Sequence, residues 1–222
     1  MKHKARIAAL VAAGMLCGLC ACGKQSPEQS ADSEPAGISL VKAEHPSPDP
    51  ALYRAAEIGD TVSFGGYDWY VIGRAEDTET LLCRQSIGIM PYHSEAGDIT
   101  WENCSLRHWL NSEFYNAFTD EERALIVQTE CENPDNTDYI GTVTPGGSTT
   151  ADAVYLLSLP EAKALPQELL ACDRYWWLRS PGKHRYYAAG VYSSGVIDAL
   201  GYFANYPDYE SAVRPALRIR LT

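Results

Sequence analysis

Thr61-Val62-Ser63-Phe64-Gly65-Gly66-Tyr67-Asp68-Trp69-Tyr70-Val71-Ile72 decides how the chain is read. β-Branched and aromatic residues flank two adjacent glycines, which is the pattern of two short strands joined by a tight turn. Glu79 to Ile87 (ETLLCRQSI) continues as another strand. The far end answers it: Ser211 to Leu221 (SAVRPALRIRL) reads as a last strand, with Arg214, Arg218 and Arg220 set among apolar residues. The middle changes period. Leu106, Trp109, Leu110, Phe114 and Phe118 fall on one face of a helix starting near Asn103. Thr119, with Glu122 three residues on, forms a capping box for a second helix whose apolar side is Leu125 and Ile126.

Residues 131–152 form a long polar loop, and Ala153 to Leu157 reads as a strand. Ser158 and Glu161 cap a short helix ending near Pro166. Tyr175 to Arg179 is strand-like and stops at Ser180-Pro181-Gly182. Tyr186 to Tyr192 and Val196 to Phe203 read as a hairpin around Ser193-Ser194-Gly195. Strands at both ends around central helices predict an α+β domain whose termini share one sheet. The expected architecture is a mixed, mostly antiparallel sheet with two to three helices and long loops.

Upstream, the composition changes. All five Trp and all fourteen Tyr lie within residues 51–222, which suffices for one domain with a sizeable core. Residues 23–50 are rich in Ser, Pro, Glu and Ala, hold no aromatic residue, and have one brief apolar patch, Ile38-Ser39-Leu40-Val41. This stretch reads as a disordered tether with His45 as plain linker, reaching roughly 30 Å on average.

The first residues carry an address. Lys2, Lys4 and Arg6 precede an apolar run from Ile7 to Leu19, the layout of a secretory signal peptide. Leu19-Cys20-Ala21-Cys22 places Leu at −3, Ala at −1 and Cys at +1, so the chain resembles a bacterial lipoprotein precursor. The resemblance implies removal of residues 1–21, diacylation of Cys22, a lipidated linker over 22–50 and a globular domain over 51–222. It places the protein on the extracytoplasmic face of a bacterial membrane. Two acyl chains suffice for stable anchoring. The seventeen uncharged residues from Ile7 to Gly23, interrupted by three cysteines, fall short of the ~20 apolar residues a spanning helix needs.

Without residues 1–21 the chain holds 15 Lys and Arg against 29 Asp and Glu, a net charge of −14. That balance argues against nucleic acid and against electrostatic docking to anionic lipid. Cys83, Cys104, Cys131 and Cys172 remain beside Cys22. In an exported protein they allow three pairings or four buried thiols. No C-x-x-C occurs among them, which disfavours structural zinc.

The chain resembles a family of bacterial extracellular domains of unknown function, DUF6273. The resemblance rests on Ile58 to Trp69, Trp101 to Leu110 (WENCSLRHWL) running into Asn111, Asp152 to Ser158, Trp176 to Gly182 (WWLRSPG) and Val213 to Leu217. The WWLRSPG and VRPALRIRL blocks also look like the core of the C-type lectin-like fold, as in formylglycine-generating enzymes and variable tropism proteins. That likeness implies a core position for Trp177, a core-edge position for Arg179 and a closing-strand position for Arg214. The catalytic cysteines of formylglycine-generating enzymes have no matching positions, so their activity is not implied.

Chemistry was sought by motif. There is no G-x-S-x-G elbow, no phosphate-binding glycine loop and no H-E-x-x-H pair. Cys104 and His108 share a predicted helix face and are candidates for a metal pair or a nucleophile pair, against packing of a buried cysteine. Asn133, Asp135 and Asp138 offer oxygens of the kind calcium takes, without the EF-hand pattern; the alternative is turn formation. The C-terminal third concentrates tyrosines among polar residues. Tyr186, Tyr206 and Tyr209, with Arg185, Asn205 and Asp208, are expected to form an exposed recognition surface. The expected function is a non-catalytic binding module for a glycan, a cell-wall polymer or a surface protein, without cofactor. The alternative is a surface hydrolase or modifying enzyme using Cys104 and His108.

Overall fold

The computed structural model describes residues 38, 40, 45–205 and 211–222, which belong to a compact unit running over 34–222. Helix α1 (Pro50–Ala55) begins with the Asp49 carboxylate accepting from the Ala51 N–H. The predicted hairpin follows as β1 (Thr61–Phe64) and β2 (Tyr67–Ala75), paired from Thr61 opposite Tyr70 to Phe64 opposite Tyr67. Gly65 and Gly66 both take positive φ, 62° and 78°, which the two-residue turn requires. The strand predicted over Glu79 to Ile87 ends at Cys83 as β3 (Thr78–Cys83), and a short β4 (Gly88–Ile89) follows beyond it.

Helix α2 (Ser105–Trp109) passes through a π-turn (Leu110–Phe114) into α3 (Tyr115–Ala117). Leu106, Leu110, Phe114 and Phe118 are buried as the spacing predicts. In α4 (Asp120–Leu125), the Thr119–Glu122 capping box forms in both directions. The long polar loop is clasped at its base by β5 (Thr129–Cys131) and β6 (Thr150–Asp152). After β7 (Val154–Tyr155) come α5 (Leu159–Lys163), capped by Ser158 and Glu161 as expected, and α6 (Gln167–Leu170), which sequence reading missed. The chain ends with β8 (Trp176–Pro181), β9 (Tyr187–Val191), β10 (Ile197–Phe203), β11 (Ala212–Val213) and β12 (Ala216–Arg220).

The fold is α+β with two five-stranded sheets, ordered β1-β2-β3-β12-β7 and β10-β9-β8-β11-β4. Every pairing is antiparallel except β11 with β8. β1 and β12 share a sheet, as predicted from the strands at the two ends. One correction concerns the last strand. It is broken at Arg214-Pro215, so that β11 belongs to one sheet and β12 to the other. Proline lacks an N–H for the ladder, and the residue before it is restricted, which favours a break here.

Arg214 sits at this crossing, fully buried. It donates to the carbonyls of Cys83, Leu169, Leu170 and Arg84, and its guanidinium lies 4.9 Å from the Trp176 ring centroid. One apolar cluster runs through both sheets, including Trp69, Trp101, Trp176 and Trp177. Among the described residues, no helix is long and apolar enough to cross a membrane.

Candidate functional site

β8 ends at Pro181, and the chain turns through residues 182–186 before entering β9. The turn is held from three sides. The Lys183 N–H donates to the Leu200 carbonyl, the Ile99 N–H to the Arg185 carbonyl, and the Ala204 N–H to the Tyr186 carbonyl. Phe203 on β10 stands opposite Tyr187 on β9. These restraints assemble a row of near-parallel rings, with Tyr186 5.4 Å from His184 at 6° and 5.4 Å from Phe203 at 27°. Tyr187 meets all three steeply, at centroid distances of 5.0, 5.0 and 4.6 Å. Tyr186 is 38% exposed and Phe203 41%.

Beside the row lies a cleft of about 190 Å³ lined by Asp98, Ile99, Thr100, Asn103, Pro145 and Arg185. The Ile99–Arg185 backbone bond joins its two walls. Aromatic faces next to directed polar groups can hold a ring-shaped, hydroxylated ligand by stacking and hydrogen bonding.

A second ring group lies on the same hairpin. Half-buried Tyr175 packs edge-on to Tyr192 and Tyr202 at 5.5 and 5.0 Å, and its hydroxyl donates to Asp198 at 3.4 Å. Burial first, and the Asp198 charge second, push the Tyr175 phenol well above the ordinary range. Tyr175 and Tyr202 are half-buried, and Tyr192 is 41% exposed.

The residues expected at a recognition surface fall as follows. Tyr186 and Arg185 are exposed at the row and cleft, and Asn205 is half-buried one residue beyond Ala204. Tyr206, Asp208 and Tyr209 lie outside the described residues, as does Cys22. His184 and the wall from Asp98 to Asn103 were not anticipated. His184 sits two residues before Tyr186 in a turn, a weak signal, whereas the wall lies more than eighty residues upstream and leaves no local trace.

The other candidates serve the scaffold. The Asn133 side chain accepts from Arg179 Nε (3.1 Å) and donates to the Ser148 carbonyl, Asp135 accepts from the Gly146 N–H (3.0 Å), and Asp138 pairs with Lys163 (2.6 Å). These contacts tie the loop to β8, α5 and its own far side. Among the described residues no cluster of three or more His, Cys, Asp or Glu side chains is placed to hold a metal ion. Arg179, 2% exposed, completes the clamp through Glu161 and the Leu156 and Glu132 carbonyls, a core-edge role as the resemblance implies.

Cys104 and His108 are not brought together as a reactive pair. Cys104 is fully buried while His108 is exposed, and burial pushes the Cys104 thiol up to about 12. A thiol held neutral is a poor nucleophile. All four described cysteines are free thiols.

The described residues thus form an α+β domain with a ring row beside a polar cleft. A family model described as "Domain of unknown function (DUF6273)" matches residues 77–221, and the chain belongs to that family. The match starts at Asp77, after the β1–β2 hairpin, and so covers less than the resemblance read over 58–222. No curated protein and no solved structure matches the chain.

Proposed function

We propose that this protein is a lipid-anchored binding module on the extracytoplasmic face of a bacterial membrane, and that it takes a glycan or cell-wall polymer on the ring row. The observation that carries this reading is the exposed Tyr186 ring, stacked with His184 and bordered by the Arg185 cleft. Sugar rings stack on aromatic faces while hydroxyls take hydrogen bonds from groups such as Arg185, Asn103 and Thr100. The lipobox at Leu19 to Cys22 and the acidic balance support a surface location reached through acyl chains. The scaffold is read as lectin-like. In support, the Trp176–Pro181 block is the central strand of one sheet, and Arg214 stands in the closing segment.

The test is binding of the full chain to a glycan and cell-wall polymer array, with calcium and with chelator. The expected result is binding that survives the chelator and falls at least about tenfold in Tyr186→Ala, a loss of one stacking contact. An unchanged Tyr186→Ala variant refutes the site. Loss of binding on chelation restores calcium, and no polymer binding at all moves the ligand to a surface protein.

A further inference from the structure

Residues 22–50 read as a free tether, yet the described residues within it touch the domain. Ile38 lies against Gly88 on β4. A Cβ built on Gly88 would stand 2.6 Å from Ile38 Cγ1, so the Ile38 side chain sits in the space that the missing Cβ leaves. Ile38 and Leu40 both pack on the apolar core. Seven residues after Ile38, His45 Nδ1 lies 2.9 Å from Oε1 of Glu122, a carboxylate that is itself 1% exposed. The other Glu122 oxygen caps α4 by accepting from the Thr119 N–H. His45 and Pro46 wall a cleft of about 350 Å³ against Tyr53, the Gly65-Gly66 turn and Asp68.

The segment after that is fastened too. Arg74 pairs with buried Glu79 and donates to the Tyr53 and Ala56 carbonyls, while Arg54 donates to the Leu221 carbonyl. An apolar pair and a histidine seated on a buried carboxylate are specific seats, unlike the contacts of a solvated linker.

We propose that the stretch carrying Ile38, Leu40 and His45 is a docked strap, with Ile38 seated against Gly88 of β4, Leu40 on the apolar core and His45 on Glu122. The docking rests on neither the lipid anchor nor the proposed binding row.

Trypsin acting on the full chain reads the docking directly, because Lys24 and Lys42 stand on either side of the Ile38 seat. Cleavage after Lys42 needs a segment that includes Leu40 and His45 to leave the domain. It is expected to be about tenfold or more slower than cleavage after Lys24. The double substitution Ile38→Ser with Leu40→Ser, and separately His45→Ala, should bring the two rates together while tryptophan fluorescence of the domain stays unchanged. Equal rates in the unaltered chain, or variants that leave the Lys42 bond protected, overturn the strap whatever the ligand proves to be.

Discussion

Arg214→Met tests the account of how the two sheets are joined. In the native chain the guanidinium satisfies four main-chain carbonyls, at 2.7 Å to Cys83, 2.8 Å to Leu169, 2.9 Å to Leu170 and 3.3 Å to Arg84. Methionine keeps the length and the apolar stem but donates nothing. The Leu170 carbonyl retains a partner, because the Trp176 indole N–H also donates to it at 3.1 Å. Three carbonyls are left. A buried acceptor without a donor costs about 1–3 kcal/mol. The Arg84 and Leu169 bonds are only part-buried, so water recovers some of that loss. Removing a buried charge gives back some desolvation as well.

The net expectation is a loss of about 3 kcal/mol. For a domain of this size that lowers Tm by about 6–12 °C. Thermal denaturation of the full chain followed by circular dichroism measures it, with exposed Arg220→Met as the control, expected to stay within about 0.5 kcal/mol of the unaltered chain. Arg214→Lys should recover less than half of the loss, since an ammonium has three donors and does not stack flat on Trp176. An Arg214→Met midpoint within about 2 °C of the control would refute the idea that this side chain ties the sheets together.

Two further outcomes are expected. In Gly146→Ala the new Cβ would fall 2.1 Å from the Asn133 carbonyl oxygen and 2.4 Å from that of Pro134, both main-chain atoms that cannot swing away. Hydrogen exchange within residues 132–149 should quicken, at a cost of about 1–3 kcal/mol, while the central strands stay protected; unchanged exchange sinks the clamp. Burial pushes the Cys83, Cys104 and Cys131 thiols from their ordinary 9.0 up to about 12. The unfolded chain releases these protons first. Stability due to them is therefore complete below pH 9 and falls as pH rises toward 12, by up to about 1.4 kcal/mol per pH unit for each thiol. Urea titrations at pH 8 and pH 10.5 check the sign, and iodoacetamide at pH 8 should leave Cys104 unmodified until the chain unfolds.

What could be read from sequence was what is local. The hairpin at 61–72 followed from alternation and a Gly-Gly turn, and both capping boxes followed from residue pairs three apart. Each rests on interactions within one or two turns of chain, so neighbouring residues hold the whole cause. Alternation could not show that Arg214-Pro215 breaks the last strand, because the break depends on what Arg214 meets, carbonyls from residues 83–84 and 169–170. Composition likewise assigned His45 to linker, since its partner Glu122 is seventy-seven residues away and already explained by its cap.

By itself the sequence determined the class of fold and the concentration of aromatic residues in the C-terminal third. Only the tertiary structure decided which of those rings form a row, which polar wall stands beside them, and which thiols and carboxylates are taken up by the scaffold. The reason is physical. A strand or a cap is stabilised by neighbours along the chain, whereas the ring row and its cleft are made where distant segments, here 98–103, 184–187 and 203, are pressed together by burial elsewhere in the core.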